Sequence, residues 1–413
     1  VKIIATSKKN PFANPGAASN RLIGLLKGLS NNGNEVHLII LGGYYSVIEV
    51  SEFAEKGTQE NIHYLYLSKR KNINIWQRRL SEYVTKKWDI LLLQTRIKRL
   101  ISLSSEKKIV WVENDFLSFN SIKFLLKDSN LKFFMEINEY PDIHISNKST
   151  KYFWQANTAN KHVTYFFKNI LPKLDGIALM TNNLVKYFED KVSSKTNIMH
   201  LPMTVDLERF DLSKSYESIE GLDSPYIAFI GSMNDTKDGV NLLIEAFGEI
   251  SKEYPNYKLA LYGFWTYDTP KHFQRIHELG IQNKVIYSKP IDSDKVINLI
   301  MNSEILVLPR PDSYQAKGGF PTKLGEYLAS SKPVIVTKVG EIPNYLQHHK
   351  SAFLIEPGSV ESIVFALKNA LSDYEEASKI GLEGRKVAES QFCANIQSER
   401  LNQFLTKKIC SND

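Results

Sequence analysis

ILVLPRPDSYQAKGGFPTKLGEYLASSKPVIVTKVGEIPNYL, residues 305–346, reads as strand, long loop, helix, strand and loop. ILVLP is a short apolar run that stops at Pro309, as a buried parallel strand does. RPDSYQAKGGF is rich in turn formers and carries Arg310, Lys317, Gly318 and Gly319. Pro321 suits the first position of a helix running through Lys323, Glu326 and Leu328, and VIVT is the next strand. Glycines ahead of a helix N-terminus let backbone N–H groups approach an anion, and the helix dipole favours negative charge there. Arg310, Lys317 and Lys323 add positive charge. Glu326, about one turn into the helix, can accept hydrogen bonds from sugar hydroxyls. A loop of this type is equally a surface loop capping an ordinary sheet helix, so the rest of the chain must decide.

Upstream, the same alternation begins at SPYIAFIG, a strand. A loop with Lys237 and Gly239 follows, then the helix NLLIEAFGEISKEY and the strand YKLALYG. HFQRIHELG, KVIYSKP and DSDKVINLIMNSE continue it as helix, strand and helix, and FLIEPG with SVESIVFALKNALSDY extends it downstream. The loop after Gly231 can bring the Lys237 ammonium to a phosphate, or it is a strand-to-helix turn with a solvated lysine. The first half has its own series: VKIIAT, a loop with Gly16, the helix RLIGLLKGLSNNG and the strand EVHLIIL. IVWVEND and LKFFMEINEYP are further strands, leaving Glu113, Asn114, Asp115, Glu136, Asn138 and Glu139 at strand ends. Alternating strands and helices make parallel sheets whose ligands bind beyond the carboxyl ends of the strands. Carboxylates there serve acid–base chemistry or hydroxyl binding, or simply cap the next helix. The polar stretch DLSKSYESIEGLDSP lies near a domain linker.

A length of 413 residues suits two domains, and 43% hydrophobic with 23% charged residues is a globular composition. Two cysteines, Cys393 and Cys410, argue against a disulfide framework and against a cysteine metal site. No run approaches the roughly 18–20 apolar residues of a spanning helix, and VKIIATSKKNPF reads as strand and loop, not as a signal peptide. The expectation is a soluble or peripheral cytoplasmic protein. A formal charge of +7 favours anionic partners. Basic residues concentrate between Ser68 and Leu100, with Trp76, Tyr83 and Trp88 interleaved. That mixture suits an anionic membrane surface ahead of nucleic acid, for which no recognition motif is present, and it also suits a solvated helical face.

In their order, PFANPGAASNRLIGLLKGL with EVHLII, LPMTVDLERF, YIAFIGSMNDTKDGVNLLIEAF, YKLALYG, the stretch 305–346 and FLIEPG resemble a family 4 glycosyltransferase. The resemblance implies the α/β GT-B fold: two Rossmann-like domains with parallel sheets facing a central cleft. Residues 1–205, with a C-terminal helix at about 392–413, would be the acceptor-binding domain, and 206–391 the nucleotide-sugar-binding domain. The implied activity is retaining transfer from a nucleotide-diphosphate sugar to a glycan or lipid-linked glycan, in bacterial surface polysaccharide synthesis. No metal and no cofactor beyond the donor is implied. The charge building on the leaving diphosphate then needs fixed cations and helix N–H groups. Lys237, Arg310 and Lys317, with Glu139, are the catalytic candidates. Gly16, Gly231, Ser232, Gly319, Phe320, Pro321, Thr322, Lys323 and Glu326 are the donor-binding ones, and Asn138 and His144 the acceptor-binding ones. Glu326 matches the second glutamate of the family's paired-glutamate motif, expected on the ribose hydroxyls. The first glutamate falls on Gly318, and the arginine usual after the first-strand glycine is Ser232. Arg310 or Lys317 is expected to replace that charge. Asn138 stands where the family has a site histidine, with Glu139 or His144 as substitutes. Two other classes fit these departures: a nucleotide-sugar epimerase of the same fold, and a non-catalytic nucleotide-sugar-binding protein.

Overall fold

The computed structural model describes residues 1–14, 16–41, 52–67, 91–92, 94–100, 107–114, 118–119, 125–128, 130–142 and 160–410, and among these the chain forms fourteen strands, most of them short apolar runs. The chain forms two compact units, Val1–Leu201 with Gln397–Asp413, and Pro202–Ile396. Sequence reading put the break after 205 and the return at about 392. Val205 instead bridges Cys393: its N–H donates to the Phe392 carbonyl at 2.8 Å, and the Ala394 N–H donates to Val205 O at 3.0 Å. Both stretches therefore belong to the second unit.

In the first unit, β1 (Lys2–Ser7), β2 (Glu35–Ile40), β3 (Lys56–Gln59), β4 (Ile62–Tyr66), β5 (Lys108–Val112), β6 (Leu131–Ile137), β7 (Gly176–Leu179) and β8 (Asn197–His200) form one sheet. Its order is β3-β4-β2-β1-β5-β6-β7-β8, parallel except for the β3–β4 hairpin. Glu60 and Asn61 turn that hairpin with φ of 50° and 62°. Two consecutive left-handed residues match the right-handed twist of paired strands. Sequence reading passed over the hairpin, because KGTQ has no apolar alternation. Helix α1 (Ala17–Asn31) covers the sheet with Leu25, Leu26 and Leu29. The returning tail adds Leu401, Phe404, Leu405 and Ile409 to the same core.

In the second unit, β9 (Tyr226–Ser232), β10 (Lys258–Phe264), β11 (Val285–Ser288), β12 (Ile305–Leu308), β13 (Val334–Thr337) and β14 (Phe353–Ile355) run parallel in the order β11-β10-β9-β12-β13-β14. Helices α2 (Val240–Glu253), α3 (Ser293–Met301) and α4 (Thr322–Ala329) are among those that connect them. In each unit the strand order reverses beside the first strand, between β1 and β5 and between β9 and β12. Doubly wound sheets bind ligands at that point, beyond the carboxyl ends of the strands.

Two local details depart from expectation. The loop 310–320 holds a helical turn, Tyr314–Gly318, started by Ser313, whose hydroxyl accepts from the Ala316 N–H at 3.1 Å. Pro321 precedes α4 instead of opening it, because its ψ of 110° is extended.

Candidate functional site

At the switch point of the second unit, β9 delivers Gly231 and Ser232, and β12 delivers Arg310 one residue past Pro309. A short helix, Asp235–Asp238, follows β9 and carries Lys237. Four anchors fix it. The Asn234 side chain accepts from the Lys237 N–H at 2.8 Å, and Asp268 accepts from the Asp235 N–H at 3.0 Å. The Asp235 carboxylate accepts from the Asn241 N–H at 2.8 Å and meets the fully buried His272 at 2.9 Å. Burial would raise the Asp235 carboxyl, but the His272 and Asn241 bonds outweigh it and hold it below the ordinary range. Gly239 ends the turn at φ 69°, with the Pro309 carbonyl where a Cβ would stand.

Arg310 is buried, and its Nε donates to the Lys237 carbonyl at 3.4 Å. Lys323 reaches back from the first turn of α4 and ion-pairs with Asp238, Nζ to Oδ1, at 3.3 Å. Its ammonium lies 4.9 Å from the centroid of the Phe229 ring and directly over Gly231, where any Cβ would collide with it. Burial lowers the Lys323 pKa, and the neighbouring cations Lys237 and Arg310 add to that against the opposing pull of Asp238. Three cations and one buried acid thus converge beside the N-terminus of α4, an arrangement fit to hold a phosphate group.

Glu326 lies on the same helix, paired with Arg209 at 3.2 Å. Arg209 also donates to the Ser293 hydroxyl at 2.9 Å, at the start of α3. Within LPMTVDLERF nothing local marks this arginine as the partner of Glu326. Of the other candidates, Lys317 is exposed and pairs with Asp312 at 3.2 Å. The Phe320 ring is buried against Tyr345 and Phe392, at 5.6 and 5.4 Å, so only its backbone is offered to a ligand. Gly319 is buried before Phe320, while Pro321 and Thr322 stand partly exposed at the start of α4.

In the first unit, a cavity of about 420 Å³ opens at the other switch point. Thr6, Trp111, Glu113, Asn114, Glu136, Asn138, Glu139 and His162 are among its lining residues. The Arg21 side chain, buried on α1, bonds Glu136 Oε1 through Nε at 2.5 Å and donates to the Leu201 carbonyl at 3.0 Å. Glu113 accepts from the Lys8 backbone N–H. The Asn138 Oδ1 atom is buried with no hydrogen-bond partner. Gly16 precedes α1 in open space. His144 and Asp115 lie outside the described residues, as does most of 68–100. Within that stretch Arg96 pairs with Glu55 at 3.3 Å. Among the described residues no cluster of three or more His, Cys, Asp or Glu side chains is placed to hold a metal ion, and no helix is long and apolar enough to cross a membrane.

The two sheets and their switch points define a doubly wound, two-unit α/β protein of the GT-B fold. Sucrose-phosphate synthase from Thermosynechococcus elongatus superposes with a TM-score of 0.73 over 100% of both chains, at 15% identity. Residues 214–387 match the family described as glycosyl transferases group 1. An uncharacterized glycosyltransferase of Methanocaldococcus jannaschii is 26% identical over 184 residues, covering 44% of this chain and 45% of the relative. A GDP-mannose-dependent alpha-(1-6)-phosphatidylinositol monomannoside mannosyltransferase of Mycolicibacterium smegmatis is 24% identical over 216 residues, covering 50% and 56%. The chain thus spans about half the length of these two curated relatives.

Proposed function

We propose that the protein is a retaining glycosyltransferase that moves a hexosyl group from a nucleotide-diphosphate sugar to a glycan or lipid-linked glycan acceptor. The observation that carries this reading is the convergence of Lys237, Arg310 and Lys323 at the switch point of the second unit. In the reaction the bond from the sugar's anomeric carbon to the diphosphate breaks, and the electron pair stays on the phosphate oxygen. The acceptor hydroxyl forms the new bond and loses its proton. Fixed cations aimed at the diphosphate stabilise that developing charge without a metal. Lys317, exposed at the edge of the same loop, is the weaker candidate for this work. Glu326 is assigned the ribose hydroxyls, for which it must exchange its bond with Arg209.

The acceptor is assigned to the cavity of the first unit, where Glu139 and Asn138 offer oxygen atoms to hydroxyl donors. Glu139 is assigned the departing hydroxyl proton. The mannosyltransferase relative, whose name gives a GDP-mannose donor and a phosphatidylinositol mannoside acceptor, supports a lipid-linked glycan acceptor, and the cytoplasmic face of a membrane is the location proposed. Surface polysaccharide synthesis is the setting proposed. The test is a thermal-shift and turnover panel of UDP-, GDP-, ADP- and dTDP-sugars, with and without a chelator. A ligand that binds the folded state raises the melting temperature. One donor class should raise it, and turnover with a glycan acceptor should persist in chelator. No shift with any donor, or turnover abolished by the chelator, overturns the corresponding part of the proposal.

A further inference from the structure

Asp238 is an acid in a site otherwise made for anions. It is 3% exposed, one oxygen faces the Lys323 ammonium at 3.3 Å, and the other oxygen has no hydrogen-bond partner. Buried carboxylates left half-satisfied are costly, and a negative charge beside a phosphate site opposes binding. The arrangement is therefore informative about Lys323. The lysine stem passes the Phe229 ring, and the ammonium occupies the space that a side chain at 231 would need. Only glycine admits it there.

Position 232, where the family's arginine would stand, is a serine at the end of β9, next to the same spot. Neither substitute suggested by sequence fills it so directly. Lys317 is more than half exposed and faces Asp312, and Arg310 has its Nε turned to the Lys237 carbonyl. Building on the donor-site reading above, we infer that Lys323 supplies the cation missing at position 232, presenting its ammonium over Gly231 to the donor diphosphate. Asp238 is its positioning residue. When the diphosphate arrives, the ammonium keeps Asp238 on one side and takes phosphate oxygens on the other. The acid offsets one of three positive charges, so the empty site does not force Lys323 away from its neighbours.

The groups facing the ammonium are Asp238 and Lys237 from the short helix after β9 and Arg310 after β12, with the uncharged Phe229 ring of β9 beside it. Burial and the two cations hold its pKa below the ordinary lysine range in the free protein. A bound diphosphate favours the protonated form and raises it again. Affinity is then constant below the free-state pKa and falls as pH rises from that value to the pKa of the complex, because each binding event takes up a proton.

The experiment is calorimetric titration of wild type, Lys323→Met, Lys323→Arg and Asp238→Asn with UDP, GDP, ADP and dTDP across alkaline pH. For the diphosphate that wild type binds, Lys323→Met should weaken binding at least tenfold. Lys323→Arg should bind with a flat alkaline limb, since guanidinium does not titrate there. Asp238→Asn should bind several-fold more weakly and lose affinity at lower pH than wild type, because Asp238 sustains the charge on Lys323. Wild-type affinity in Lys323→Met overturns the inference. If that variant does not fold, an alkaline limb in Lys323→Arg identical to wild type overturns it. An unchanged pH profile in Asp238→Asn removes the positioning role. Failure of wild type to bind any of the four diphosphates would defeat the donor-site reading instead.

Discussion

The two switch points are built alike and charged oppositely. In the second unit, Lys237, Arg310 and Lys323 converge, and Lys323 pairs with one buried acid. In the first, Glu113, Glu136 and Glu139 line the cavity, and Arg21 is bound to Glu136 from beneath. Both stand beyond the carboxyl ends of parallel strands, where the sheet leaves a crevice regardless of sequence. The topology therefore supplies two crevices, and the side chains decide what each accepts. Cations with a helix N-terminus suit phosphate, whereas carboxylates and an unpaired amide oxygen suit hydroxyl donors.

The largest effect expected from breaking this contrast comes from Arg21→Met. It leaves Glu136 as an uncompensated carboxylate, 9% exposed at its side chain. Breaking a buried pair by removing one partner costs about 3–5 kcal/mol. Denaturant unfolding should show the first unit less stable by that amount, while nucleoside diphosphate affinity stays at the wild-type value. Loss of nucleotide affinity in the folded variant would show that the two crevices do not divide the ligands between them.

The next effect is smaller and falls on the other crevice. Lys237→Ala removes a partly exposed cation while leaving the backbone contacts of residue 237, to Asn234 and Arg310, in place. A charge-assisted hydrogen bond contributes about 1.5–3 kcal/mol, so affinity for the bound nucleoside diphosphate should fall roughly ten- to 150-fold. The melting temperature of the unliganded protein should barely move. An affinity within twofold of wild type would take Lys237 out of the donor site.

Much of this contrast was legible in the sequence. Strand–helix alternation indicates both parallel sheets, and residues at or just past the ends of VKIIAT, IVWV, YIAFIG and ILVLP stand at the crevices. What was not legible are the partners that join distant positions. Arg21 meets Glu136 across 115 residues, and Arg209 meets Glu326 across 117. No local period reports such a pairing. Asp238 was passed over because an acid next to Lys237 and Gly239 reads as ordinary turn chemistry. Within GGFP, Phe320 reads as part of the anion loop, and nothing local shows that its ring packs against Tyr345 and Phe392. The β3–β4 hairpin was missed because its first strand is polar and exposed and is recognisable only by its partner.

The smallest effect sharpens the comparison most. Ser232 holds the position where the resemblance leads one to expect an arginine, and its backbone pairs with Phe264 at the end of β10. If Lys323 has taken over that charge, the serine hydroxyl is left with little to do, and Ser232→Ala should alter nucleoside diphosphate affinity and stability by no more than about 0.5 kcal/mol, as for a substitution away from any critical contact. A loss matching that of Lys237→Ala would instead make the hydroxyl a phosphate donor. The crevice would then combine neutral donors with cations, and the contrast with the acidic cavity would rest on fewer charges. A near-silent Ser232→Ala beside a damaging Lys323→Met would show that the positive charge of this crevice is supplied from the start of a helix and not from the end of a strand.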